Sequence, residues 1–223
     1  LGSGLVCRLA ALVAGLLICL PLWAGSWDRF FQAIKVDNEL EVQALLQKGL
    51  DPNLIEAERG DSGLILALRE NSMRVVKALL QSPQIDLEQK SNNGDNALMI
   101  ACFKANTEAV RLLLEKGAQV NRPGWTPLHY AAASGEKAII DLLLAKNAAL
   151  DATSPNQTTP LMMAARGGHI WIVKRLLDAG ANPTLKNEQG YDAIAMAGLF
   201  NNQEIIDGLQ YRIKKWQETH PGK

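Results

Sequence analysis

Gly124-Trp125-Thr126-Pro127-Leu128-His129-Tyr130-Ala131-Ala132-Ala133-Ser134-Gly135 is the stretch whose reading decides the fold. Thr126 can cap a helix with its hydroxyl, and Pro127 at the first helical position has no amide hydrogen to leave unpaired. Leu128, Ala131 and Ala132 fall at i, i+3 and i+4, so they share one face of a short helix. The two alanines let a second helix approach closely. Gly135 accepts the positive φ that ends the first helix. Beyond it, Ile139, Ile140, Leu143 and Leu144 form the stripe of a second helix, and Asn147 stands where another left-handed residue is needed. The stretch predicts one helix-turn-helix unit.

The unit recurs. An apolar residue is followed sixteen positions later by the close of an apolar pair at Phe30–Leu46, Leu64–Leu80, Leu98–Leu114, Leu128–Leu144 and Leu161–Leu177. A sixth stretch, Ile194–Gln210, puts Gln where Leu is expected. Successive stretches start 34, 34, 30, 33 and 33 residues apart. A rigid interior joined by connectors of varying length is the pattern of a stacked repeat. With apolar residues at 48% but aromatics at only 5%, the core must be built from Ala, Leu, Ile and Val.

Thr126-Pro127-Leu128-His129 with Ala131-Ala132 and Gly135 resembles the ankyrin-repeat motif. Thr159-Pro160-Leu161-Met162, Ala164-Ala165 and Gly168-His169 repeat it in the fifth unit. Ala97-Leu98, Ala101 and Leu113-Leu114 keep it in the third, and Ser62-Gly63-Leu64-Ile65 is a worn copy in the second. The resemblance implies an all-α ankyrin-repeat solenoid of about six helix-turn-helix units with short β-turn or hairpin connectors. The units are expected near 27–54, 60–88, 93–121, 123–151, 156–184 and 189–217, one repeat domain over 27–217, followed by a polar tail at 218–223. His129 and His169 are expected to brace turns by hydrogen bonds, not to ligate a metal.

The departures carry expectations of their own. The connector Val120-Asn121-Arg122-Pro123-Gly124-Trp125 is three residues short, which predicts a stunted finger. The turn Leu54–Gly60 reads as irregular. At the ends of a stack a unit lacks one neighbour. Trp27, Phe30, Phe31 and Ile34 at i, i+3, i+4 and i+7 predict a capping helix, and Ile205, Ile206, Leu209, Ile213 and Trp216 predict a long C-terminal lid.

The first 26 residues differ in kind. Arg8 precedes the apolar run Leu9–Leu20, then come Pro21 and Ala24-Gly25-Ser26, the pattern of a secretory signal peptide cut after Ser26 or Ala24. The run is shorter than the ~20 apolar residues of a spanning helix. The missing initial Met fits an unusual start codon or a misplaced gene start, which leaves the length of the n-region open. Export to the periplasm is expected, with an inner-membrane anchor facing the periplasm as the alternative if the segment is retained. Cys7 and Cys19 leave with the signal, so Cys102 remains as a lone, buried thiol. Without residues 1–26 there are 22 basic and 23 acidic residues, which is not the footprint of a nucleic-acid binder.

No Gly-rich phosphate loop, nucleophile elbow or metal-ligand cluster occurs, so no catalytic residue, metal, cofactor or small-molecule substrate is expected. Family members bind proteins through turn tips and the exposed side of each first helix. Those positions here hold Arg69, Glu70, Phe103, Lys104, Trp125, Ala133, Ser134, Arg166, Tyr191, Leu199 and Phe200. The expectation is a non-enzymatic module binding an unidentified protein on a concave face centred on Phe103, Trp125 and Arg166. The alternatives are an accessory factor for an exported enzyme, since some periplasmic ankyrin proteins are linked to catalase and peroxide defence, and a membrane-tethered scaffold.

Overall fold

The computed structural model describes residues 25–219, except the side chains of Trp216 and Thr219. The expected leader, with Cys7, Arg8 and Cys19, falls in residues 1–24 and lies outside them, as do His220 and residues 221–223 of the tail. The described residues form twelve helices and no strand, an all-α repeat solenoid. The helices are α1 (25–35), α2 (Glu39–Gln47), α3 (Gly63–Arg69), α4 (Met73–Leu80), α5 (Ala97–Phe103), α6 (Thr107–Glu115), α7 (Pro127–Ser134), α8 (Lys137–Ala145), α9 (Pro160–Arg166), α10 (Ile170–Asp178), α11 (Ala193–Gly198) and α12 (Gln203–Thr219). They divide into two compact units between Gly94 and Asp95.

Helices of six to nine residues, as α2 to α11 are, do not hold their shape alone in water. Caps and packing supply what length does not. The side chains of Ser62, Asn96, Thr159 and Asp192 each accept the amide three residues on, opening α3, α5, α9 and α11. Gly135 ends α7 at φ +82°, and Asn147 follows α8 at φ +58°, both in the left-handed region.

In the first unit, Phe30 and Ile34 are fully buried and Phe31 nearly so, while Asp28, Arg29, Gln32 and Lys35 stay in water. That is the expected capping face. The Ser72 hydroxyl donates to the Ile34 carbonyl at 2.6 Å, and Asp37 accepts the Val75 amide at 3.0 Å, so the first helix pair is pinned to the second. The turn after Leu54, irregular by sequence, is an ordered hairpin with an antiparallel bridge between Ile55 and Ser62. Its lock is Glu56, whose carboxylate accepts the amides of Glu58 and Arg59 at 2.8 and 2.7 Å. Burial pushes the Glu56 carboxyl up, but those amides and that of Asp61 outweigh it and hold the group below its ordinary value.

In the second unit, α5, α7, α9 and α11 pack side by side as a row of first helices, and α6, α8, α10 and α12 form the second row. The first row is close because Ala131, Ala132, Ala164, Ala165 and Ala197 are fully buried at its contacts. Between Glu115 and Pro127 the connector has 11 residues, against 14 between Ala145 and Pro160, so the finger is stunted as expected. Asn121 clamps the next connector, donating to the Asn147 carbonyl and accepting the Ala149 amide at 2.9 and 2.8 Å. The last helix runs 17 residues with Ile205 and Leu209 buried, which makes it the long lid; Ile206 and Ile213 are half-buried.

Candidate partner-binding face

Thr126 and His129 anchor the site. The His129 ring is fully buried, and its Nδ1 accepts the Thr126 amide at 3.1 Å. A nitrogen that accepts an N–H carries no proton, so Nε2 bears the hydrogen and donates to the Thr158 carbonyl at 2.9 Å. The Thr126 hydroxyl also lies 2.9 Å from Nδ1. Burial pushes the imidazole below its ordinary value, with hydrogen bonds to the backbone at Thr158 and Ala152 opposing it. His129 therefore sits neutral between two connectors. His169, half-buried, donates from Nε2 to the Ala133 carbonyl at 3.0 Å. Its ring fills the space over Gly135 and Gly167: a Cβ on either would come within 2.5 and 2.6 Å of ring atoms.

On this base stands an aromatic group. Trp125 is half-buried and meets the His129 ring edge-on at 5.2 Å. Tyr130 lies 6.2 Å from both Trp125 and Phe103, edge-on to each. The Tyr130 hydroxyl donates to Asp95 Oδ1 at 2.6 Å, which fixes the ring between them. Phe103 is 58% exposed although it ends a packed helix. A second group lies further along the row, where the Arg166 guanidinium sits 5.3 Å over the Phe200 ring. Leu199 and Phe200 at the end of α11, and Tyr191 before its start, are exposed by 56, 51 and 40%.

The sequence-predicted positions thus separate. Phe103 and Trp125 belong with the first group, Lys104 follows Phe103 in the chain, and Arg166 and Phe200 make the second; Ser134 ends α7 and bonds to the Ala131 carbonyl, and Tyr191 precedes α11. Arg69 is in the first unit and is not free: its Nε donates to the fully buried Asp61 carboxylate at 2.7 Å. Asp61 Oδ1 has no hydrogen-bond partner, so this ion pair carries the buried charge alone. Replacing Arg69 with Ala is expected to cost about 1–3 kcal/mol, less than a fully buried pair because Arg69 is 20% exposed. A shift in the urea midpoint of the first unit reads it, and an unchanged midpoint would return Arg69 to the binding face.

Asp61 and Asp95 accept from the side chains of Arg69 and Tyr130, and Asp192 caps the amide of Ala195. Tyr130 and Asp95 are the members of the site that residue-type reasoning passed over. Tyr130 precedes Ser134 by four residues, and that helical spacing places them on one side. Trp171 packs on the neighbouring repeat, with the Lys137 ammonium 5.1 Å over its ring.

A family model described as ankyrin repeats in three copies matches residues 30–123, 121–187 and 142–217. The chain belongs to the ankyrin-repeat family. Among known proteins, it is 33% identical over 156 residues to human transient receptor potential cation channel subfamily A member 1, which spans 65% of this chain and 14% of that protein. It is 31% identical over 177 residues to human SH3 and multiple ankyrin repeat domains protein 2, covering 77% of this chain and 10% of the relative. The mouse B-cell lymphoma 3 protein homolog matches at 31% over 187 residues, 81% of this chain and 42% of its own length. The chain therefore spans less than half of each relative. Ankyrin repeats generally mediate protein–protein interaction, and this ankyrin chain carries the stacked scaffold that displays such surfaces.

Proposed function

We propose that this ankyrin chain is an exported, non-enzymatic binding module that grips a partner protein on the face made by its first helices and turn tips. The observation that carries the reading is the group of exposed Phe103 with half-buried Tyr130 and Trp125. Its rings are oriented by Asp95 and by the His129 brace, so they lose little freedom when covered. Aromatic and Arg side chains supply a large share of interface energy when a partner desolvates them. The Arg8–Ser26 pattern supports passage through a membrane and release into the periplasm. Sequencing the N-terminus of the mature protein tests that step: Trp27 or Gly25 as first residue agrees with release, and a retained leader makes the chain a tethered scaffold.

The face is tested by crosslinked capture from the periplasm, identified by mass spectrometry, with the native chain and a Phe103→Ala/Trp125→Ala variant side by side. Loss of two such anchors is expected to weaken capture of a specific partner at least tenfold, on the order of 1.4 kcal/mol or more. Because Trp125 is half-buried, Phe103→Ala alone serves as the variant that leaves the packing intact. Undiminished capture by both would remove this face from the function. Partners that prove to be exported enzymes, a catalase among them, would specify the accessory role.

A further inference from the structure

The arginines of the second unit sort by location. On the second-helix row, Arg111, Arg175 and Arg212 are each paired with a carboxylate, Glu115, Asp141 and Asp178. Arg122, on the stunted finger, and Arg166, at the end of α9, have no carboxylate within ion-pair reach among the described residues. Arg122 instead lies 2.9 Å from the Met99 sulfur, and Arg166 covers the Phe200 ring. Lys104, exposed at the end of α5, has no ion pair among the described residues either.

The carboxylates on the same side are committed. Asp95 is nearly buried and accepts from Tyr130, and Asp192 accepts the Ala195 amide. At the tip of the last connector Lys186 and Glu188, both exposed, offset each other in charge. The cations left without a carboxylate partner are Lys104, Arg122 and Arg166, interleaved with the rings of Phe103, Trp125 and Phe200. Along the row, the residues at the position of Phe103 are Ala133, Arg166 and Leu199, and those at the position of Lys104 are Ser134, Gly167 and Phe200. Small residues therefore separate a cationic-aromatic end at Phe103 and Lys104 from another at Arg166 and Phe200. Packed helices stand 8–10 Å apart, so the two ends are about 20 Å from each other. An extended chain covers that distance with about six or seven residues.

We propose that the occupant of this face is an acidic linear segment of a protein partner, carrying aromatic or aliphatic side chains between its carboxylates. Arg122, Lys104 and Arg166 receive the carboxylates, and Phe103, Trp125 and Phe200 receive the apolar side chains. Guanidinium groups without an internal carboxylate form charge-assisted hydrogen bonds to a partner's carboxylates, and such cations repel a basic segment. The inference rests on the binding face proposed above and adds the chemistry of what fills it.

A randomised twelve-residue display library selected on the full chain tests it. Enrichment of net-negative sequences with interspersed Phe, Tyr, Trp or Leu is expected. Their affinity should fall at least tenfold at 0.5 M salt relative to 0.1 M, and at least tenfold on an Arg122→Glu/Arg166→Glu chain. That charge-reversed chain should in turn enrich basic sequences. Enrichment of neutral or basic sequences whose binding is lost on Phe103→Ala would overturn the acidic occupant while leaving the face standing. Selected peptides indifferent to both changes would overturn the face as well. No enrichment, or preferential binding of a single-stranded oligonucleotide, would sink the proposal.

Discussion

Phe30→Ala is expected to lower the unfolding free energy by about 3–5 kcal/mol, the largest single-residue effect in the first unit. The ring is fully buried and meets Phe31 edge-on at 5.2 Å. Its seat is made by an absence: a Cβ on Gly63 would stand 2.7 Å from the Phe30 ring, so α3 admits the ring only because it opens on glycine. Truncation leaves a ring-sized void beside a helix start that has no side chain to refill it. A terminal repeat could instead fray, and the cost would then be small. The buried set Phe30, Ile34, Val42 and Leu45 argues that α1 is held as firmly as an interior helix. Urea denaturation followed by Trp27 fluorescence, in a chain whose other tryptophans are replaced by Phe, reads this unit, and a loss under about 1 kcal/mol would show that α1 contributes little.

His129→Ala is expected to cost about 2–4 kcal/mol. The substitution strips the Thr126 amide of its acceptor in a fully enclosed position and removes one of two donors to the Thr158 carbonyl, which keeps the Ser154 amide at 3.0 Å. It also empties the space of an imidazole against which Trp125 packs. The same residue sets a pH dependence. Its folded value is depressed, so the unfolded chain binds the proton more readily. The contribution is intact above the unfolded value, about 6.5, and drains away as pH falls below it. The native chain should lose stability between pH 7.5 and 5.5, and His129→Ala should show a flatter profile over that interval. Parallel profiles would mean that His129 is not the titrating group.

Thr126-Pro127-Leu128-His129 announces its helix because cap, proline and glycine stop are all local, and local chemistry is legible in sequence. Features that depend on where a side chain points were not. Arg69 looked free because its partner Asp61 lies eight residues upstream, on the far side of a cap. The Leu54–Gly60 turn looked irregular because its order comes from one carboxylate folding back on neighbouring amides. Gly167 has an ordinary φ of −74°, so its backbone does not betray that the His169 ring, two residues on, folds back over it and requires its missing side chain. Trp125 and Phe103 were placed on one surface from their register, but Tyr130, which joins them, had been read only as part of the helix.

Cys102 lies on α5 with no exposed surface, and burial pushes its thiol far above the ordinary range. Alkylation requires a thiolate that a reagent can reach, so neither condition is met while the first-helix row stays closed. The sulfur is thus a chronometer already installed in the repeat stack. The rate at which iodoacetamide consumes it counts how often α5 parts from its neighbours, with no label added and no residue changed.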